Sequence, residues 1–254
     1  NLAFMPGSEF RWSAVFLDES NQVPWQGHAF ALGFPLPLVP IATGVRLDLI
    51  DPPYSAIGGP FGQYNYQWLT WGIAAGSDFA SLGLSLQRTY SDALALDGLS
   101  SFTLGYSARP FDHLALSLVA HDINGPTNAL GYGLERSYDI ALAIRPTGSR
   151  ALEVGLEGKY VDTRDGYWTP RATLGIDVPY LGRLRGDVAV SHPNDSNRRA
   201  WLASANMAFH MSGAGGSAEL AGGAITGNGL GEKGSYGVQA EIAMRGYREV
   251  SGLE

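Results

Sequence analysis

Apolar and polar residues alternate along most of this chain. In the stretch RSYDIALAIRP, residues 136–146, the even positions from Tyr138 to Ile144 are large and apolar, whereas the odd positions are small or carry the charges of Asp139 and Arg145. Because successive side chains of a β-strand point to opposite faces, this stretch predicts a strand with one apolar face. The pattern recurs at 102–109, 114–122, 152–160, 168–178 and 236–245. No segment sustains a comparable 3.6-residue apolar period, so we predict an all-β chain.

The connections between the predicted strands alternate in length. Tight turns are expected at 35–40, 75–78, 110–113, 146–150, 179–182 and 211–216. Longer polar or Gly-rich connections fall between them at 18–26, 51–63, 89–98, 123–135, 162–166, 192–199 and 226–235. This division gives about fourteen strands of about 8 to 12 residues, lengths that cross a bilayer when the strands are tilted. Tight turns at one end and long loops at the other are typical of a transmembrane, antiparallel, up-and-down β-barrel.

A soluble β-sandwich also explains the alternation of side chains. It does not predict alternating connection lengths over so many hairpins, and its polar face is normally rich in charge. Here the polar positions are mostly Gly, Ala, Ser and Thr, with few ions. We therefore predict a closed barrel in which Ile140 and Leu142 face lipid and Asp139 faces the lumen, since hydrocarbon offers no partner for an unpaired strand edge. The aromatic residues expected to form girdles at the lipid interfaces are Trp12, Tyr66, Trp68, Trp71, Tyr138, Tyr160, Trp168, Trp201 and Tyr236.

Composition removes several function classes. The chain has 254 residues, of which 45% are hydrophobic and 16% charged, and its formal net charge at pH 7 is -7. Its only lysines are Lys159 and Lys233, so it has no basic patch of the kind that binds nucleic acid. The absence of cysteine excludes disulfides, thiolate metal sites and cysteine nucleophiles. No uninterrupted apolar window reaches the ~18 residues of a transmembrane helix.

Motifs for catalysis or cofactor binding are weak. GLGEKG at 229–234 has the spacing of a dinucleotide-binding turn, but a predicted strand follows it instead of a helix, so we interpret it as a loop. The histidines lie on separate strands and turns without metal-ligand spacing. We interpret His121 and Asp122 as structural polar residues, with a pair between them at the lumen or rim as the alternative. No serine has a nucleophile-elbow context. We expect no catalytic, cofactor-binding or metal site in this segment.

The charged residues at lumen-facing positions are the remaining candidate site. Arginine predominates over lysine among them, which favours forked pairing with carboxylates. Two interpretations stay open: the charges brace the barrel wall, or they line a polar conduit whose charge selects solutes. The predicted lumen-lining residues are Arg46, Asp48, Arg88, Arg109, Asp139, Arg145, Glu153, Glu157, Lys159, Arg171, Asp177, Arg185, Asp187, Glu219, Glu241 and Arg245.

A repeated unit consists of a strand, a short turn and an alternating strand, as in LGYSARPFDHLALSLVAHDING, IALAIRPTGSRALEVGLEGKY and LGIDVPYLGRLRGDVAVS. This unit resembles the FadL/PorV type of bacterial outer-membrane barrel. The resemblance implies fourteen strands and a role as a transporter of hydrophobic compounds or as an outer-membrane component of a secretion system. The opening NLAFMPG is similar to the end of the NPA-(G/N)-L-A signature of that group, through Asn1, Leu2 and Ala3. The resemblance carries over no ligand-binding residue.

More weakly, the chain resembles barrel domains that precede an SppA-type signal peptide peptidase. We expect residues 1–9 to end an N-terminal segment, residues 10–251 to form a single barrel, and residues 252–254 to begin a possible extension. The predicted function is a passive outer-membrane pore or transporter-like component. The alternative is a closed barrel that anchors a periplasmic domain or belongs to a larger complex. Outer-membrane lipids, including lipopolysaccharide, would surround it, and both termini would be periplasmic.

Overall fold

The computed structural model describes residues 8–18, 25–36, 39–51, 66–77, 79–91, 94, 96–128, 130–131, 133–149, 151–163, 166–178, 182–191, 200–213, 216–227 and 235–246. These residues form fourteen β-strands. The strands are β1 (Ser8–Asp18), β2 (Trp25–Pro35), β3 (Ile41–Asp51), β4 (Tyr66–Gly76), β5 (Ala80–Ser91), β6 (Ser100–Phe111), β7 (Leu114–His121), β8 (Ser137–Ile144), β9 (Leu152–Val161), β10 (Tyr167–Val178), β11 (Gly182–Ser191), β12 (Ala200–Gly213), β13 (Gly216–Gly227) and β14 (Ser235–Gly246).

All the strands belong to one closed antiparallel sheet, in which each strand pairs with its neighbours in sequence. The sheet closes where β1 pairs with β14, in a register that runs from Ser8 opposite Gly246 to Asp18 opposite Tyr236. Closure leaves no strand edge unpaired, as a hydrocarbon environment requires. The predicted fold, an all-β, antiparallel, up-and-down barrel of fourteen strands, is confirmed.

The connections differ between the two ends of the barrel. The shortest, 112–113 and 214–215, lie at one end, which we call the turn end, and the longest, 52–65 and 122–136, lie at the other, the loop end. One pair departs from the predicted alternation, because the turn-end connection 145–151 is longer than the loop-end connection 162–166. Gly148 closes a turn in the former by donating its amide hydrogen to the Arg145 carbonyl, with a φ of 68° that favours glycine.

Large apolar side chains cover the outside of the barrel. Ile140 is 46% exposed and Leu174 is 45% exposed, on strands β8 and β10. No large side chain that the structure describes is fully buried, and the buried apolar residues among them are mostly alanines. A sandwich would bury Ile140 and Leu174 between two sheets, so that alternative is wrong.

Aromatic residues form part of a girdle on the outer face at the loop end. Tyr138, Tyr160 and Trp168 follow one another across β8, β9 and β10, with ring centroids 6.4 Å and 5.3 Å apart. Trp201 begins β12 at the same end and is also exposed. Amphipathic rings at this level suit the boundary between headgroups and hydrocarbon.

Other predicted girdle members lie elsewhere. Trp68 is the register partner of Asp48, so Trp68 and Tyr66 point inward, and their rings meet edge to face at 5.6 Å. Assigning them to the lipid face was wrong because a shift of one residue reverses the face of a strand. Trp71 is on the outer face but at the centre of β4, and the side chain of Tyr236 lies outside the described residues.

Candidate functional site: the barrel lumen

Two contrasting walls line the lumen. The inner faces of β8 to β11, here the charged wall, carry basic residues and carboxylates interspersed with small residues. The inner faces of β4 to β7, here the small-residue wall, carry mainly Gly, Ala, Ser and Thr along the middle of the strands. Charged side chains are therefore denser on the inner faces of β8 to β11 than on those of β4 to β7.

A four-residue ionic cluster occupies the charged wall near the turn end. Arg145, the first residue after β8, donates to Glu153 of β9 at 2.7 Å. Glu153 also accepts from Arg183 of β11 at 3.2 Å, and Arg183 contacts Asp177 of β10 at 3.1 Å. Arg183 thus bridges two acids on different strands. All four charges are matched within the cluster, and their alternation binds β8 to β11 side by side.

Glycine at position 175 makes this cluster possible. Gly175 of β10 lies between Glu153 of β9 and Arg185 of β11 in register. A Cβ added at Gly175 would stand 2.7 Å from Nη2 of Arg183. The guanidinium of Arg183 therefore lies over the bare backbone of β10 on its way to Glu153, where any other residue would obstruct it.

A second cluster lies deeper in the charged wall. Arg171 of β10 makes two contacts of 3.2 Å with Asp187 of β11, one from Nε and one from Nη2. Its Nη1 is 3.6 Å from Glu157 of β9. The hydroxyl of Ser204 on β12 donates to Asp187 as well. Forked guanidinium–carboxylate pairing of this kind holds the two side chains in a fixed relative orientation.

His121 and Asp139 form the described polar pair nearest the loop end of this wall. Nε2 of His121 is 2.9 Å from Oδ2 of Asp139 on the neighbouring strand. His121 does not pair with Asp122, the alternative considered from the sequence, because Asp122 accepts a hydrogen bond from Ser101 instead. Asp122 begins the connection after β7 with a positive φ of 54°, and this backbone turn carries its side chain away from His121.

A cavity of about 320 Å³ lies against the small-residue wall. Ser81 and Ser107 share a hydrogen bond of 2.9 Å in its lining. A second cavity of about 190 Å³ lies against the charged wall. Ser107 and Ser117, register partners on β6 and β7, line both cavities, so the two spaces adjoin.

Most of the predicted lumen-lining charges lie on the inner face. Glu241 and Arg245 belong to β14, but their side chains lie outside the described residues. Sequence reasoning missed Arg183, and also Glu9 and Arg11, whose side chains approach to 2.7 Å on β1. Arg183 is two residues from Arg185 on β11, and Glu9 and Arg11 are in the same alternating series as Ser13 on β1. This two-residue spacing could have assigned all three to the inner face. Cavity lining places Arg109 on the inner face, and the contact with Glu153 places Arg145 there. The register places on the inner face Arg46, Asp48, Asp139, Glu153, Glu157, Lys159, Arg171, Asp177, Arg185, Asp187 and Glu219.

Arg88 was wrongly assigned to the lumen and lies on the outer face. It is the register partner of Leu69 and continues the exposed series of Leu82 to Leu86 along β5. Its guanidinium carbon is 5.5 Å from the ring centroid of Tyr90, near the loop end. Alternation along β5 places the even-numbered side chains on the outer face, and this holds for the charged Arg88 as well as for the leucines. At the end of a strand a long cationic side chain can reach the polar headgroups from the lipid face.

Within the described ranges, no group of three or more His, Cys, Asp or Glu residues is placed to hold a metal ion. The described part of the chain also contains no helix of the length and apolarity needed to span a membrane.

Comparison with known proteins identifies the fold. No protein-family model and no curated protein matches the chain. Among solved structures, the CymD monoaromatic hydrocarbon channel is similar at a TM-score of 0.61 and 10% identity, over 98% of this chain and 92% of that one. The toluene transporter TodX of Pseudomonas putida gives 0.53 and 10%, over 96% and 90%. The outer membrane protein Omp33 of Acinetobacter baumannii gives 0.53 and 9%, over 96% and 100%.

TodX and CymD fit the FadL-type resemblance predicted from the repeated unit. At such low identity the likeness carries the fold alone. The outer-membrane location expected from the sequence is supported by this fold. The structure is that of a bacterial outer-membrane β-barrel.

Proposed function

We propose that this chain is a passive pore that lets small hydrophilic solutes cross the outer membrane. The observation that carries the proposal is the accessibility of charged side chains inside the barrel. Arg46 is 57% exposed and Asp177 is 41% exposed, although both face the lumen. Ions on the inside of a hydrocarbon-embedded barrel retain such exposure when water fills the interior, since burying a charge without water or a partner is strongly unfavourable.

The direction of the ion pairs supports the same proposal. The described pairs join residues of one strand, such as Arg46 and Asp48, or of strands no further apart than β9 and β11. They run along the wall and leave the axis clear of charge pairs. The adjoining cavities give a solute space beside the wall. Bracing and conduction are therefore compatible, because the same charges that tie the strands together also keep the surface wet.

We propose one orientation of the barrel in the bilayer. We place the aromatic girdle of Tyr138, Tyr160 and Trp168 at the outer leaflet, with the loop end toward the medium and the turn end toward the periplasm. The start of β1 and the end of β14 then both face the periplasm, since Ser8 pairs with Gly246. Lipopolysaccharide and phospholipid would contact the apolar exterior.

Conductance across a planar bilayer tests the pore. Full-length protein purified in detergent and added at low concentration should give discrete current steps in potassium chloride. The same preparation denatured by heat is the control, because loss of the closed sheet should abolish the steps. A bilayer that stays sealed with folded, inserted protein contradicts the pore and favours the closed anchor for a periplasmic partner.

A further inference from the structure

The cavity of about 190 Å³ beside the charged wall has an unusual balance of charge. Arg109 of β6, Arg185 of β11, Glu153 and Glu157 all line it. The chain as a whole is negative, with a net charge of -7. Around this cavity, however, the charges are nearly balanced, because the lining residues and their ion-pair partners comprise five arginines and four acids: Arg109, Arg145, Arg171, Arg183 and Arg185 with Glu153, Glu157, Asp177 and Asp187.

The acids of the cavity already have partners. Glu153 accepts from Arg145 at 2.7 Å and contacts Arg183 at 3.2 Å, so both of its oxygens are engaged. Glu157 lies 3.6 Å from Arg171. The charge of Glu153 is therefore compensated within the wall, whereas the charge of Glu157 is compensated only in part, because Arg171 also pairs with Asp187.

The two lining arginines differ from the arginines of the clusters. Within the described residues, neither Arg109 nor Arg185 makes an ion-pair contact, and both are exposed to the lumen, although Arg185 is near enough to Glu153 and Asp187 to interact with them electrostatically. Arg109 comes from the small-residue side and Arg185 from the charged wall, so their donors approach the cavity from different strands. A guanidinium presents parallel N–H donors that match the two oxygens of a carboxylate.

We propose that this cavity binds the carboxylate of a small hydroxylated organic anion between Arg109 and Arg185. The hydroxyl groups of Ser107, Ser117 and Thr173 line the same space and can hydrogen-bond the hydroxyl groups of the solute. A single negative charge fits better than two, because the partly compensated Glu157 would repel a dianion. The inference rests on the proposed function, since solutes reach the cavity through an open lumen.

Calorimetric titration of the detergent-solubilised full chain tests the site without any need for conduction. D-Gluconate is the probe, and sorbitol, which has the same carbon chain without a carboxylate, is the matched control ligand. Gluconate should bind saturably and sorbitol should not. Arg109→Gln and Arg185→Gln should each weaken gluconate binding about tenfold, the loss expected for one charge-assisted hydrogen-bonding partner.

Control variants separate a site from general lumen charge. Arg46→Gln removes an equal charge from the lumen far from the cavity, and Arg88→Gln removes one from the outer face. Both should retain gluconate binding. Equal loss in Arg46→Gln, binding of sorbitol, or no binding of gluconate overturns the site. Unchanged mobility shift on heating in detergent electrophoresis confirms that each variant remains a closed barrel.

The bilayer measurement distinguishes the two proposals. Conductance steps without gluconate binding leave the pore intact and refute the site. Gluconate binding that depends on Arg109 and Arg185, in a protein that leaves bilayers sealed, supports the site and refutes the pore. When both hold, gluconate should reduce the chloride current of the native protein more than that of Arg185→Gln.

Discussion

Arg183 on β11 contacts Glu153 on β9, although the whole of β10 runs between them. Neighbouring strands are about 4.8 Å apart, so a contact that skips one strand needs a long side chain and an unobstructed path. Gly175 provides the path, because the guanidinium of Arg183 passes over it. The absence of a side chain at Gly175 thus allows one ion pair to span three neighbouring strands.

Gly175→Ala should therefore detach Arg183 from Glu153. The added methyl group would displace the flexible end of Arg183 and leave the backbone in place. We expect the free energy of unfolding in urea to fall by about 1 kcal/mol, since this pair is partly exposed and screened. Gly105→Ala is the matched control, because a Cβ there meets nothing within 4 Å.

A double-variant cycle isolates the cause. In an Arg183→Gln background, Gly175→Ala should produce little further loss, because the obstructed contact is already absent. Full additivity of the two changes would show that Gly175 stabilises the barrel by some means other than the path of Arg183.

A new cation should destabilise the barrel much more on the outer face of β8 than on its inner face. Ile140→Arg places a charge in the lipid near the middle of the strand and should lower the free energy of unfolding by about 2–4 kcal/mol. Ala141→Arg points into the lumen, where its register partner on β9 is Glu157, and should be much milder. Urea unfolding in phospholipid vesicles measures both. Equal losses would contradict the assignment of faces.

Depth in the bilayer should govern the effect of an outward arginine. Native Arg88 lies near the loop end, whereas Leu84 lies four positions nearer the middle of β5, about 13 Å along the strand. Leu84→Arg should destabilise the barrel by about 2–4 kcal/mol, while Arg88→Leu should change the free energy of unfolding by less than about 1 kcal/mol. A large loss in Arg88→Leu would indicate that Arg88 lies deep in hydrocarbon.

Bulk inside the lumen should narrow the pore. Ser117 of β7 lines both cavities, and Leu118, the next residue, is exposed on the outside. Ser117→Trp should reduce the single-channel conductance in potassium chloride, because the indole fills space beside the small-residue wall. Leu118→Trp adds a similar ring toward lipid and should leave the conductance unchanged. Unchanged single-channel conductance in Ser117→Trp would mean that ions do not pass beside the small-residue wall.

The sequence predicted the fold well because both of its signals are local. Alternation around Ile140 identifies a strand and its lipid face, and the connection lengths distinguish a barrel from a sandwich. The wrong predictions concern residues that were assigned to a face by charge or aromatic character instead of by alternation. Arg88 belongs to the same alternating series as the exposed leucines of β5, and Trp68 is the register partner of the inward-facing Asp48. Near strand ends, both residue types suit either face.

The arrangement of the charged wall could not be predicted from the sequence. Which acid meets which base depends on the register of β9, β10 and β11, and a sequence with alternating charges fits several registers equally. The contact of Arg183 with Glu153 depends further on the bare backbone of Gly175, which in the sequence resembles any other strand glycine. Arg109 and Arg185 lie far apart along the chain, and closure of the sheet brings them to one cavity.

The ion pairs between β8 and β11 and the small residues of β4 to β7 make the barrel wall mechanically uneven. Strands β8 to β11 resist sliding past one another, because each shift would separate Arg145, Arg171 or Arg183 from its carboxylate. Strands β4 to β7 slide against hydroxyl groups and glycines. Lateral pressure from the surrounding bilayer would then deform β4 to β7 more than β8 to β11. The width of the lumen would change through movement of β4 to β7, while β8 to β11 kept their shape.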